Sequence, residues 1–128
     1  MLLAKNNQGY RAWHRAAQFG SLEALETLWR LTNEVELKPD EFLLAQCEKG
    51  QTALHIAAYE NHVGILKKLW LWAEEAEVNA NELKKKLLLA KDNQGYTAWD
   101  RAAQFGSLEA LETLRGWDKG VELNRDEL

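Results

Sequence analysis

The chain repeats itself, and that repetition limits what it can fold into more than any other feature. Leu2–Leu28 and Leu88–Leu114 are the same sequence except at Asn6/Asp92, Arg11/Thr97 and His14/Asp100. A third copy lies between them, alike in pattern but not in letters. Leu2-Leu3-Ala4 followed by Gly9 recurs as Leu43-Leu44-Ala45 with Gly50, then as Leu88-Leu89-Ala90 with Gly95. The chain therefore divides into units 1–41, 42–86 and 87–128 of one domain spanning residues 1–128. A unit this short cannot bury its apolar faces alone, whereas stacked units can, which predicts a solenoid.

Each unit has the same order of parts. A polar turn, Lys5-Asn6-Asn7-Gln8-Gly9 in the first, precedes a small-residue helix over Ala12–Phe19. Alanines at 12, 16 and 17 allow a neighbouring helix to approach closely, and Trp13 supplies bulk. Gly20 breaks that helix, with Asn61 and Gly106 at the equivalent positions. Gly and Asn are the residues that tolerate the left-handed conformation closing a helix. Ser21 and Ser107 can cap a second helix whose positive first turn suits Glu23 and Glu109. Leu22, Leu25 and Leu28, continued by Thr32 or Ala73 and by Val35 or Ala76, give a stripe of about 3.6-residue period. The middle unit is longer around Leu83-Lys84-Lys85-Lys86, by about one helical turn, so its apolar face stays in phase. That lysine run is expected to be a solvated face.

Composition closes off several classes. With 46% hydrophobic and 28% charged residues the chain is not a disordered tail. Its net charge of −4, with both signs interspersed, offers no basic stripe for nucleic acid. Cys47 is the only cysteine, so no intramolecular disulfide is possible. The apolar Leu2-Leu3-Ala4 is far too short for a signal peptide or a membrane span. A soluble chain in the cytoplasm or another intracellular compartment is expected, with no membrane partner. Arg125-Asp126-Glu127-Leu128 looks like an ER-retention tetrapeptide. Its Asp-Glu-Leu instead matches Asp40-Glu41-Phe42 and Asn81-Glu82-Leu83 earlier in the chain, and the likeness is coincidental.

Gly50-Gln51-Thr52-Ala53-Leu54-His55-Ile56-Ala57-Ala58, followed by Asn61-His62, resembles the signature of the ankyrin repeat, Gly-x-Thr-Pro-Leu-His-x-Ala-Ala with a later Gly-His-like break. The other units carry Gly9-Tyr10-Arg11-Ala12-Trp13-His14-Arg15-Ala16-Ala17 and Gly95-Tyr96-Thr97-Ala98-Trp99-Asp100-Arg101-Ala102-Ala103. Ala12, Ala53 and Ala98 replace the usual proline, and the units exceed the usual length of about 33 residues. The surplus falls in 33–44 and 75–89. Pro39-Asp40-Glu41-Phe42-Leu43-Leu44 suits a short helix, with proline in its first turn. The fold expected is all-α: three stacked helix-turn-helix units with finger turns and a short extra helix between units. HEAT and armadillo repeats have suitable periods but lack the Gly-x-Thr and Ala-Ala pattern. The resemblance implies that His14 and His55 make structural hydrogen bonds to a neighbouring turn, with Asp100 a polar anchor at the same position. Gly9, Gly20, Gly50, Asn61, Gly95 and Gly106 are the positions expected to set the backbone.

No catalytic or cofactor chemistry emerges. His14, His55 and His62 with distant Cys47 do not make a zinc spacing. Asp92-Asn93-Gln94-Gly95 opens like a calcium loop but lacks the ligand order and the closing glutamate. There is no phosphate loop, nucleophile elbow or His-Glu-x-x-His. No metal, no cofactor and no enzyme activity are expected. The six tryptophans are the visible excess. Trp13 and Trp99 align with Leu54 and are expected in the core. Trp29 and Trp70 align with Arg115 and are expected half-buried. Trp72 and Trp117 align with Leu31, and pack either between repeats or in a contact patch.

What remains is binding. In proteins resembling this one, partners dock in the concave groove of finger tips and first helices. That maps to Asn7, Gln8, Tyr10, Gln18 and Phe19 in the first unit, and to Glu48, Lys49, Gln51, Tyr59 and Glu60 in the second. In the third it maps to Asn93, Gln94, Tyr96, Gln104 and Phe105. Exposed aromatics are residue types that anchor interfaces, although Phe19 and Phe105 could equally pack on an adjacent unit. The function expected is a protein-interaction module. The alternative is a structural or engineered repeat scaffold without a dedicated partner, because units one and three carry the same residues at every mapped position. The chain also starts and stops in phase with the repeat, as an excerpt of a longer array would, so weak head-to-tail self-association is a further expectation.

Overall fold

A computed structural model describes residues 7–34, 41, 43–75 and 80–120, which form seven helices and, among the described residues, no strand. The first unit holds α1 (Asn7–Phe19) and α2 (Leu22–Glu34), and the second holds α3 (Ala53–Tyr59) and α4 (Val63–Glu74). Between the second and third units lies α5 (Ala80–Leu89); the third holds α6 (Ala98–Gln104) and α7 (Leu108–Gly120). The first helices α1, α3 and α6 stack side by side as one layer, and α2, α4 and α7 form the other. This is the all-α repeat solenoid expected from the sequence.

The helix starts follow from which residue can cap. Thr52 accepts from the His55 amide through its hydroxyl, while the Thr52 amide donates to His55 Nδ1. Thr97 and Asp100 make the same reciprocal pair at the head of α6, with the Thr97 amide 3.0 Å from Asp100 Oδ2. Each box satisfies two otherwise orphaned amides and pins the first residue of its helix. In the first unit Arg11 occupies the threonine position, and an arginine side chain has no acceptor. There α1 runs back to Asn7. Asn7, Gln8 and Gly9, expected in a polar finger turn, are instead helical, and Gly9 is not a turn glycine. Lys5 and Asn6 lie outside the described residues.

The breaks between paired helices behave as expected. Asn61 has φ +59°, matching Gly20 at +68° and Gly106 at +67°. Ser107, expected as a cap for α7, donates its hydroxyl to the Tyr59 carbonyl of the preceding unit at 2.9 Å. The extra helix exists: α5 lays Leu83, Leu87 and Leu88 into the core. Of its counterpart in the first unit, Glu41 and Leu43 are helical and Leu43 is buried. Pro39, Asp40 and Phe42 lie outside the described residues. The lysine run is less solvated than expected, because Lys84 is folded over the Trp70 ring at 5.4 Å and sits 3.8 Å from Glu74.

Tryptophan joins the units. Trp29 of α2 stacks on Trp72 of α4 with centroids 4.4 Å apart and planes 8° from parallel. Trp70 of α4 stacks on Trp117 of α7 at 4.4 Å and 5°. The same two positions therefore meet across both unit boundaries, and these four residues belong to inter-repeat packing. Trp13, fully buried, completes the first cluster 5.9 Å from Trp72. Two burial expectations need correction. Trp70 is buried rather than half-buried, because Trp117 and Lys84 cover it. Trp99 is 40% exposed although its equivalents Trp13 and Leu54 are fully buried, because no described unit packs beyond α6 to cover it.

The histidines also cross boundaries. Nε2 of His14 lies 2.9 Å from the Ala45 carbonyl, that of His55 2.9 Å from the Tyr96 carbonyl, and that of His62 3.0 Å from the Gln18 carbonyl. His55 is fully buried, and its Nδ1 accepts from the Thr52 amide, so the ring is neutral with its proton on Nε2. Burial holds its pKa below 6.5, against the opposing pull of the Tyr96 carbonyl.

Trp72→Ala, which removes one stack and uncovers Trp13, should cost about 3–5 kcal/mol in urea unfolding and abolish part of the tryptophan couplet in circular dichroism. Below pH 6.5 the unfolded chain takes up a proton at position 55 that the folded chain refuses, so stability is full above that pH and falls as pH drops from 7 to 5. Denaturation midpoints measured across that range should slope less in His55→Asn, whose side-chain oxygen can still accept from Thr52.

Candidate functional site

Fingers project from the second and third units ahead of α3 and α6. In the second, the Cys47 amide donates to the Gln51 carbonyl at 2.9 Å and the Gly50 amide to the Cys47 carbonyl at 2.8 Å. In the third, Asp92 bonds to Tyr96 and Gly95 to Asp92 in the same pattern, each at 2.9 Å. The fingers are stapled together. The Asn93 amide donates to the Lys49 carbonyl at 3.0 Å, and its side-chain amide to the Glu48 carbonyl at 2.9 Å. Gln46 reaches the Gly50 carbonyl at 2.9 Å and the Lys91 carbonyl at 3.3 Å. Gly50, at φ +76°, is required twice over: a Cβ there would lie 2.7 Å from the Asn93 amide nitrogen.

The third finger is braced from inside. The Asp92 carboxylate is buried, accepts from the amides of Gln94 and Tyr96 at 3.0 Å, and takes the Arg101 Nε–H at 2.7 Å. Burial alone would raise its pKa; the Tyr96 amide, the Arg101 guanidinium and the Gln94 amide together hold it below 3.8. Arg101 also donates to Gln104 Oε1 at 2.8 Å and Gln94 Oε1 at 2.7 Å, and its guanidinium lies 4.7 Å from the Tyr96 ring centroid. One cation thereby fixes the finger, the helix and the aromatic ring between them.

Fingers and first helices enclose two adjoining depressions. One, of about 550 Å³, lies between the first and second units and is lined by His14, Arg15, Gln18, Cys47, Ile56 and the second finger. The other, of about 560 Å³, lies between the second and third and is lined by Asn93, Gln94, Arg101 and Phe105. Glu48, Lys49, Gln51 and Tyr59 wall both. Tyr59 is half-buried with its ring 5.2 Å from Phe105, and burial, aided by Glu60 and Cys47, pushes its phenol pKa above 10.0.

The mapped residues thus separate into groups. Gln18, Glu48, Lys49, Gln51, Tyr59, Asn93, Gln94 and Phe105 line the depressions. Gln51 is itself buried, and Asn93 spends its side chain on the neighbouring finger. Gln104 supports Arg101, and Tyr96 is 42% exposed beneath the guanidinium. Phe19 and Glu60 are exposed outside both depressions. Asn7, Gln8 and Tyr10 lie on α1, with side chains outside the described residues. Sequence reasoning missed Arg101 and Gln46. A signal for the first was present, since Asn6/Asp92, Arg11/Thr97 and His14/Asp100 are the only differences between units one and three over Leu2–Leu28. All three sites build the third finger or its helix cap.

A family model described as ankyrin repeats (3 copies) matches residues 1–82 and again residues 40–127. The chain belongs to the ankyrin-repeat family. No curated protein matches it. Ankyrin repeats are generally protein-interaction modules and generally not enzymes. Among the described residues, no cluster of three or more His, Cys, Asp or Glu side chains could hold a metal ion, and no helix is long and apolar enough to cross a membrane.

Asp92→Asn leaves an acceptor for the two amides but removes the charge facing Arg101. It should cost about 3 kcal/mol in denaturant unfolding, as breaking a buried pair does. A double-mutant cycle with Arg101→Met should recover most of that loss.

Proposed function

We propose that this ankyrin domain, residues 1–128 taken as units 1–41, 42–86 and 87–128, binds a protein partner along the two adjoining depressions. The observation that supports this is their shared wall. Glu48, Lys49 and Tyr59 present both charges and a half-buried aromatic to two depressions at once, so one extended ligand can follow both. The stapled fingers and the Arg101 network hold that wall before any ligand arrives, which reduces the ordering cost of binding. Gln18, Lys49, Tyr59, Gln94 and Phe105 are the residues assigned to contact. Asn93, Gln104 and Gln51 position them, while Tyr96 sits at the finger edge. Phe19 and Glu60 extend the surface in the proposal without lining a depression, and Asn7, Gln8 and Tyr10, whose side chains lie outside the described residues, join it by their place on α1. Free Cys47 and the absence, among the described residues, of a membrane-spanning helix fit an intracellular setting.

A second proposal is a scaffold that contacts copies of itself end to end. It is favoured by Trp99, whose 40% exposure leaves an indole edge where the other units bury Trp13 and Leu54. Against it, Arg115 stands where Trp29 and Trp70 reach the next unit, and Leu31 where Trp72 and Trp117 receive them, so neither end offers the tryptophan stack.

The test is binding to a partner obtained by capture on the immobilised chain, then measured in purified form. Lys49→Glu combined with Gln18→Ala, both at exposed positions, should weaken it at least ~10-fold without loss of helicity. Unchanged affinity would reject the groove. Light scattering that shows growth with concentration, suppressed by Trp99→Ser, would favour the scaffold.

A further inference from the structure

Four of the seven large hydrophobic side chains most exposed on the described surface occur in two copies of one tetrapeptide. Phe19 and Leu22 flank the Gly20-Ser21 break of the first unit and are 74% and 39% exposed. Phe105 and Leu108 flank Gly106-Ser107 in the third and are 58% and 70% exposed. The second unit has Glu60 and Val63 at these positions, with Glu60 exposed. The helix-turn edge of the solenoid therefore carries an apolar pair, an acidic gap and a second apolar pair. Inter-unit packing accounts for only part of the pairs: Phe105 lies 5.2 Å from the Tyr59 ring yet stays 58% exposed, and the three turns are already joined by His62 to Gln18, Ser107 to Tyr59 and the Ala110 amide to Asn61 Oδ1.

The charges beside the pairs have one predominant sign. Glu23 adjoins Leu22, Glu109 adjoins Leu108, Glu60 lies between, and all three are exposed. Of the exposed cations, Lys67 lies one turn into α4 and Arg15, one turn before Phe19, lines the first depression, while Lys68 is held 3.5 Å from Glu26 and over Trp72. An anionic membrane would be repelled by this edge, since such surfaces attract basic segments. The edge also offers no open strand, because its backbone lies in helix ends bonded within and between units, so an extended peptide could not pair there. A helix satisfies its own backbone. Helices packed about 8–10 Å apart put the first and third turns roughly 20 Å from each other, the rise of about fourteen helical residues.

We propose that this edge is a second interaction surface, which docks a basic amphipathic helix of a partner protein. The helix lays apolar residues on Phe19/Leu22 and on Phe105/Leu108 and a basic residue against Glu60. The site does not depend on the groove; it shares Phe105 with it, and Phe19 and Glu60 with the surface that extends it, but Phe19, Leu22, Leu108 and Glu60 line neither depression.

The probe is a synthetic helix of about fourteen residues, with leucines at both ends of one face and lysines at its centre. Titration calorimetry against the full chain should give saturable binding, weakened at least ~10-fold by Leu22→Ser plus Leu108→Ser. Glu60→Lys should weaken it too, and this exposed charge reversal keeps the test decisive if the serine variant unfolds. Lys49→Glu with Gln18→Ala, the groove variant, should leave this binding unchanged. If the edge variants bind the peptide as wild type does, or a scrambled peptide binds equally, the proposal fails. Binding to vesicles of equal parts phosphatidylcholine and phosphatidylserine through the same residues would also overturn it. Unchanged partner affinity in the groove variant, with peptide binding still lost in the edge variants, would reject the groove alone.

Discussion

Each unit of this chain is two short helices with more apolar surface than the pair can cover, and the contact between neighbouring units is what makes the fold. The tryptophan stacks show it most directly. Trp29 lies 6.1 Å from Trp13 of its own unit but closer, at 4.4 Å and nearly parallel, to Trp72 of the next, and Trp70 meets Trp117 across the second boundary in the same way. Stacked indoles bury much area and fix orientation as well, so each boundary is set in register by one pair. Around them the polar contacts follow the same rule. His14, His55 and His62 each reach a carbonyl of another unit, and Asn93 and Gln46 tie one finger to the next. Trp99 shows the converse: an indole with no described unit packed beyond α6 is left 40% exposed.

The comparison of units one and three separates what a repeat needs for packing from what it needs for a finger. Over the stretch from Leu2 to Leu28 they share every apolar residue, and both form the helix pair. They part where the third has Asp92, Thr97 and Asp100. Asp92 closes the turn and neutralises Arg101; Thr97 and Asp100 stop the helix from growing backward. With Asn6, Arg11 and His14 in those places, α1 continues through Asn7 to Gly9. Of the three, the threonine is the one that both finger-bearing units share, since the second unit forms its turn and helix cap with Cys47 and His55 where the third has Asp92 and Asp100. The reason is local: without a side-chain acceptor, the orphan amides of a helix start are best satisfied by another turn of helix.

For function, rigidity and exposure are divided between two faces. The groove is held by hydrogen bonds and by one buried ion pair, so its polar wall is in place beforehand. The helix-turn edge has apolar residues in the open, with acids beside them. Phe19 and Phe105 came into view from their type and position, which signal an interface without saying on which side of the helix they emerge. Arg101 escaped notice because a basic residue on a first helix ordinarily points to solvent, as the equivalent exposed Arg15 does. Only the neighbouring Asp92 makes its burial favourable.

Local spacing was sufficient for the period of the repeat, the helical class, the breaks at Gly20, Asn61 and Gly106 and the extra helix ahead of the third finger. Those depend on interactions within a few residues of one another, and such interactions leave a pattern in the letters. The family resemblance was carried by the same short range, in Gly50 to Ala58 and its copies. Tertiary structure alone decided which tryptophans meet, which glutamine serves a finger and which lysine is drawn over an indole. It also decided that Trp70 is covered while Trp99 is not, because burial depends on what the next unit brings. No residue's own neighbours in sequence record that.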